Sequence, residues 1–291
     1  MNKKYELTEE TKKVAGKILH RIKALVDIEK CGVKAGDLGG FIESENNLSH
    51  YGTCWVADDA LVFGEAKVEY DSIVAGKAQV RGFAHIGGDA RIADNALVFG
   101  FAHIYDDARV YGYAKVADSA EVYGDAQVYG FAQVFGITHV FDNSKIYEEA
   151  VVSGNACVYE NAKVYNLAEV SGNAEISGNT EIYGDAHVSG NACITGDALI
   201  ANDGDYATIK GFGSEHKAIT FFNCLDNKVR ASCDSFYGTI SEFREYVKDT
   251  SEGKEVEECL LIADLMEKHF DSNILDVPKD SNSHEDEEVE Y

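Results

Sequence analysis

The chain is 291 residues long and carries 51 Asp and Glu against 26 Lys and Arg, a formal net charge of −25. That balance argues against nucleic acid or an anionic membrane as a partner and leaves only a local basic stripe as a route to either. Its seven Cys show no CxxC spacing, which fits a reducing compartment. No apolar run suits an export signal or a bilayer span, so the expected location is cytoplasmic.

Residues 1–53 form a non-repeating entry or cap segment. Within it Leu19–Ile28 (LHRIKALVDI) alternates as a strand does, and the Gly-rich Lys34–Ile42 (KAGDLGGFI) predicts a turn leading into the first coil. Residues 54–201 then keep one six-residue beat without interruption. Every sixth residue from Val56 to Ile200 is Val or Ile, 25 times in succession, and the residue two before it is Ala at 20 of those places. An amphipathic helix repeats near 3.6 and cannot carry this period; a solenoid, in which each short strand meets its equivalent one coil later, does.

Within a unit such as Ala126–Val128 the two beat residues lie two apart and point to the same side of a strand, inward. Gln127 and Tyr129 point out, and Gly130 and Phe131 fall where the chain bends. The bend position is Gly 15 times and Asp or Asn 7 times, the residues that reach left-handed backbone angles most cheaply. Three such units close a triangular coil, and 25 units predict about eight coils. At roughly 4.8 Å per coil the prism is about 40 Å long. The expected class is an all-β solenoid followed by a small α+β module.

That module occupies residues 206–270. Ala218–Phe222 and Lys228–Ser232 flank Asp226–Asn227 as a hairpin would. Thr239–Asp249 carries Ile240, Phe243 and Val247 on one helical face with Thr239 or Ser241 as cap, and Glu255–Phe270 spaces Cys259, Ile262, Ala263, Met266 and Phe270 as a second helix. Residues 271–291 are acidic, and the composition of Asp276–Tyr291 predicts disorder.

The beat of an aliphatic residue followed four later by a small one resembles the hexapeptide-repeat, left-handed parallel β-helix proteins. The flanks, Gly36–Ile42 (GDLGGFI) running into Cys54–Val56 (CWV), and Phe236–Phe243 (FYGTISEF), resemble uncharacterised bacterial and phage members labelled acyltransferase-like or polymer-forming. The resemblance implies left-handed coils, trimers with parallel axes and, in enzymes of the family, acyl transfer from CoA thioesters with a His as base. By residue type His103 and His139 are candidates for that role, yet the 25 units leave no protruding loop to shape a site.

Residues 18 apart stand in vertical columns on the outside. One holds Tyr111, Tyr129, Tyr147, Tyr165 and Tyr183, beside Arg91, Arg109, Gln127, Lys145 and Lys163. A second holds Tyr105, Tyr123, Phe141 and Tyr159, beside His85, His103, Glu121, His139, Cys157, Glu175 and Cys193. The third face is less aromatic, with Phe63, Arg81, Phe99, Ala117 and Phe135 giving way to Ser153, Ser171 and Ser189. Stacked aromatics stabilise a sheet face by themselves, and a long aromatic stripe also suits a subunit interface. The Tyr, Arg and Lys of the first face form a candidate site for a planar anion such as a nucleotide; the row Tyr105, Tyr123, Phe141 and Tyr159 is a candidate interface. A straight His/Cys row does not converge as a tetrahedral metal site must, so neither a metal nor a cofactor is expected. The leading expectation is a non-catalytic, oligomeric scaffold, trimeric by the resemblance, that meets a host protein if phage-encoded and then works in the host cytoplasm. A nucleotide-sequestering binder and a hexapeptide-type acyltransferase are the alternatives.

Overall fold

The computed structural model describes residues 3–212, 218–233 and 236–271. Three strands open the chain: β1 (Tyr5–Val14), β2 (Lys17–Ala24) and β3 (Leu38–Ile42). Twenty-five two-residue strands follow, one every six residues, from β4 (Trp55–Val56) to β28 (Leu199–Ile200). Each pairs in parallel with the strand one coil on, as Val110 with Val128 and Val128 with Ile146. The product is a parallel β-solenoid with three flat faces.

The inward side chains line one continuous axis. Val128, Ile146 and their equivalents are fully buried, and so is every Ala two residues before them from Ala60 to Ala186. Full burial of one such aliphatic side chain contributes about 1.5–3 kcal/mol, and the axis repeats that contribution at each rung. The small partner residue lets three strands converge without clash. Where it is Ser, the hydroxyl turns back to the preceding corner: Ser72 donates to the Glu69 carbonyl and Ser144 to that of Phe141, each at 2.7 Å. The buried hydroxyls of Thr138 and Thr180 find no partner among the described residues.

The corners have a chemistry that backbone angles alone do not explain. Eight of the nine non-glycine corner residues with positive φ are Asp58, Asp94, Asp106, Asp118, Asp142, Glu148, Glu160 and Asn166. Each also accepts, through its side chain, the backbone N–H of the corner residue one coil later. Asp58 accepts from Gly76 and Asp94 from Gly112, both at 2.9 Å, and Glu148 accepts from Asn166 at 2.9 Å. An acidic or amide corner therefore satisfies a donor that the ladder leaves over, which is a reason for Asp and Asn here beyond their tolerance of φ.

The solenoid starts one coil before the regular beat. Ile42 pairs with Val62 and Leu48 bridges to Val68, so with Val56 they complete an additional first coil and each face stacks nine rungs, not eight. Eight residues separate Leu48 from Val56 instead of six, which hides this coil from the periodicity. Lys34–Ile42 is accordingly more than a turn, because its last residues are β3. The strand expected over Leu19–Ile28 ends at Ala24, and its partner β1, a largely polar and exposed strand, has no hydrophobic alternation that would reveal it.

Side chains close both ends. Lys4, 5 % exposed, sends its ammonium to the Cys54 carbonyl at 2.8 Å, and the Asn47 amide donates to the carbonyls of Gly64 and Ala66 at 2.9 Å. At the far end the N–H groups of the last coil meet acceptors beyond it: His187 on Asp203 at 2.8 Å, Cys193 on Thr220 at 2.9 Å and Ala201 on Asp205 at 2.9 Å. Phe222 and Cys224 complete the axial core.

The covering module is an antiparallel sheet of β29 (Tyr206–Lys210), β30 (Ala218–Asn223), β31 (Val229–Cys233) and β32 (Phe236–Thr239), backed by α1 (Ile240–Thr250) and α2 (Lys254–Phe270). The hairpin turns at Asn227, φ 57°, as Asp226–Asn227 predicts. Thr239 and Glu242 cap α1 reciprocally, and the five spaced residues of α2 are buried against the sheet. The expectation for Asp276–Tyr291 lies outside the described residues.

Urea unfolding should register both the filled axis and its orphaned hydroxyls. Ile146→Ala should cost about 2–5 kcal/mol through lost burial and a cavity, while Thr138→Val should stabilise by about 1 kcal/mol by removing an unpaired hydroxyl. Asp205 accepts from the N–H groups of Ala201 and Asn202 and from the side-chain amides of Asn202 and Asn223. Asp205→Ala should loosen the terminal closure, and size-exclusion chromatography should then show higher-order species that the wild type lacks.

Candidate functional site

A residue directly after each inward aliphatic faces out, and its N–H donates to the next coil, as Tyr111 to the Val128 carbonyl at 3.1 Å and Tyr129 to that of Ile146 at 2.9 Å. The backbone ladder thus fixes the rise between side chains, and planar rings at that rise stack. Along Tyr111, Tyr129, Tyr147, Tyr165 and Tyr183 the centroids lie 4.9, 5.0, 4.9 and 5.3 Å apart, with ring planes within 10° of parallel. On the neighbouring face Tyr105, Tyr123, Phe141 and Tyr159 stack at 4.9, 4.8 and 4.9 Å. Each ring covers the next, so these rows are half-buried within the chain itself.

Beside the first row Arg91 and Arg109 are direct parallel neighbours, followed by Gln127, Lys145 and Lys163. Lys163 pairs with Glu181 at 3.1 Å, and the same carboxylate accepts from the Tyr165 hydroxyl at 2.9 Å. Among the described residues no ion pair engages Arg91, Arg109 or Lys145. Burial, then the Glu181 charge, holds the Tyr165 phenol well above the usual range. Burial pushes Tyr105 up to about 12, with Glu121 adding to it, and burial also raises Tyr123, Tyr159 and Tyr183.

The His row mixes acids and bases in register. His85 meets Glu69 at 2.8 Å, His139 meets Glu121 at 3.4 Å, and His103 sets its ring edge-on to His85 with centroids 5.8 Å apart. His103 and His139 stand two coils apart on one straight column and are not brought together. Among the described residues no three His, Cys, Asp or Glu side chains gather as a metal ion would require. No helix among them is long and apolar enough to cross a membrane, and all seven Cys are free thiols.

Sequence reasoning missed two exposed pairs of stacked aromatics. Phe83 and Phe101 stack at 4.9 Å, and Tyr113 and Phe131 at 5.1 Å, each ring more than half exposed. They come directly after the bend residue and stand on corners, where the repeat reads only as a turn. A column scan at that position would have found them. On the third face the Arg81 guanidinium lies over the Phe99 ring at 5.0 Å.

The raised phenols give a signed pH dependence. A Tyr with ordinary value 10.0 in the unfolded chain and about 12 when folded favours folding fully below 10, and that contribution disappears as pH rises from 10 to 12. Melting temperature should therefore fall across that window, and less steeply in Tyr105→Phe, as thermal scans by circular dichroism would show. In comparison with known proteins, the chain matches no family model and no curated protein.

Proposed function

We propose that this protein is a non-catalytic, oligomeric β-helix scaffold of the hexapeptide-repeat kind, its coils left-handed, that presents its faces to further copies of itself and to a partner protein. The observation that carries the reading is continuity: strands recur every six residues from Trp55 to Ile200 with no insertion, and aromatic rows run straight along the result. An acyltransferase needs a base in reach of a bound thioester, usually under a loop; here His103 and His139 lie on an unbroken face. A solenoid closed at both ends serves instead as a rigid spacer whose flat faces bind by area. The exposed corner rings Phe83, Phe101, Tyr113 and Phe131 add apolar surface beside those faces. In this reading three copies associate with parallel axes, and a phage-encoded chain would engage a protein of its host.

A second reading, a binder of a planar anion, is favoured by Arg91 and Arg109. Two adjacent, exposed guanidinium groups that no ion pair engages among the described residues are unusual on a chain of charge −25, and Tyr111 offers a stacking face beside them.

Light scattering tests the first reading. The wild type should have three times the chain mass, and replacing Tyr129, Tyr147 and Tyr165 together by Ser should lower it. A monomeric wild type would refute the oligomeric scaffold, and an unchanged mass in the folded variant would remove the tyrosine row from the interface.

A further inference from the structure

The second aromatic row ends abruptly. Tyr105, Tyr123, Phe141 and Tyr159 stack ring on ring, and the next rung of that column, one coil before Tyr105, is Gly87. The outer face of the Tyr105 ring therefore has no neighbour from its own column. Gly87 is not required by its backbone, which stays out of the left-handed region, and an added Cβ would meet only the Tyr70 ring, at 3.4 Å. What glycine provides here is space, part of which the Tyr70 ring takes up.

The residue beside that space is itself anomalous. Tyr70 stands at a corner with φ 62°, where the eight other non-glycine corners are Asp, Glu or Asn that use their side chains to accept an N–H. A bulky aromatic in the left-handed region is rare and strained, and persists only where the surroundings hold it there. It lines a half-open pocket of about 330 Å³ together with His85, Gly87, His103, Tyr105 and Asp106 among others. The volume is at the small end of ligand pockets, roughly 300–1,000 Å³, and suits one ring system.

The lining defines the ligand class. Tyr105 offers a flat face at the height where the column would place another ring. His103, whose ring makes no hydrogen bond among the described residues, offers polar atoms, while His85 is held by Glu69 and the Asp106 carboxylate accepts the Gly124 N–H one coil further on. Among the described residues no Lys or Arg lines the pocket, and Asp106 is the one carboxylate in its lining.

The geometry points to a binding slot for an uncharged or cationic planar heteroaromatic ring, a purine base or nucleoside, stacked on Tyr105 in the place of the missing rung. This slot is separate from the Arg91–Arg109 face and would disfavour phosphorylated forms, to which its lining offers no Lys or Arg. One base–aromatic stack is worth about 1–3 kcal/mol, so its loss should weaken binding roughly tenfold or more.

Isothermal titration of the full chain with adenosine, adenine and AMP tests the slot. Adenosine and adenine should bind saturably, one per chain, and AMP at least tenfold more weakly. Gly87→Phe completes the column with the protein's own ring and should abolish binding with melting temperature kept or raised. Tyr105→Leu should weaken binding about tenfold, and Tyr70→Asp should weaken it while raising melting temperature through the restored corner bond. Leu167→Ala, at an exposed corner far along the solenoid, should leave affinity unchanged. The slot is overturned if adenosine shows no saturable binding at millimolar concentration, if folded Gly87→Phe binds as well as wild type, or if AMP binds more tightly than adenosine. A Gly87→Phe chain that loses oligomer mass, where the wild type binds no purine, would assign the space to an aromatic side chain of a protein partner and equally overturn it.

Discussion

The width of the axis governs everything else in this molecule. Three strands can converge only if one of the two inward residues on each is small, and the other must then be a branched aliphatic to fill the remaining volume. Ala126 with Val128, repeated from face to face, meets both demands, and both side chains are withdrawn fully from water. Interiors are packed as closely as organic crystals, so a repeat that departed from this pair would leave a void or a clash at every coil. The parallel register, the rise per coil and the flatness of the faces all come from holding that interior constant.

Constant rise converts a sequence period into surface chemistry. Residues in unrelated parts of the chain become neighbours in rows, so that like meets like: rings stack, Asn179 donates to Asp197, and corner carboxylates receive the N–H of the next coil. The same rule explains the strongly acidic corners, because backbone donors occupy many of the carboxylates. It also sets the cost of ending. A stack of short strands has open edges at top and bottom, and the chain meets them with Lys4, Asn47, Thr220 and Asp205, residues whose roles depend on contacts far along the sequence.

Those differences account for what could be seen in advance. The coil, its three columns per turn, the hairpin at Asn227 and both helices are local or periodic, and local pattern reveals them. The additional first coil is not, because the step from Leu48 to Val56 breaks the beat and its pairing with Val62 and Val68 is tertiary. The strand Tyr5–Val14 lacks an apolar alternation since most of it stays exposed. Of the surface, the tyrosine rows were legible from spacing, whereas Phe83 and Phe101 were taken up in the bend. The significance of Gly87 was overlooked for a different reason: beside the corner Gly88 it looks like one more bend residue, and its place directly after Ile86 and its ordinary backbone angle separate it from the corners.

The stacking of faces imposes a kind of reading frame on the gene. Removal or duplication of one six-residue unit would leave the interior content, since every unit offers the same inward pair, but it would rotate all later units by one side of the triangle. Tyrosines would then stand above serines, and cations above histidines. Only changes of a full turn, three units together, preserve the surface rows while altering the height of the prism. Length in this architecture can therefore drift one whole turn at a time at little expense, whereas any smaller step scrambles recognition and spares stability.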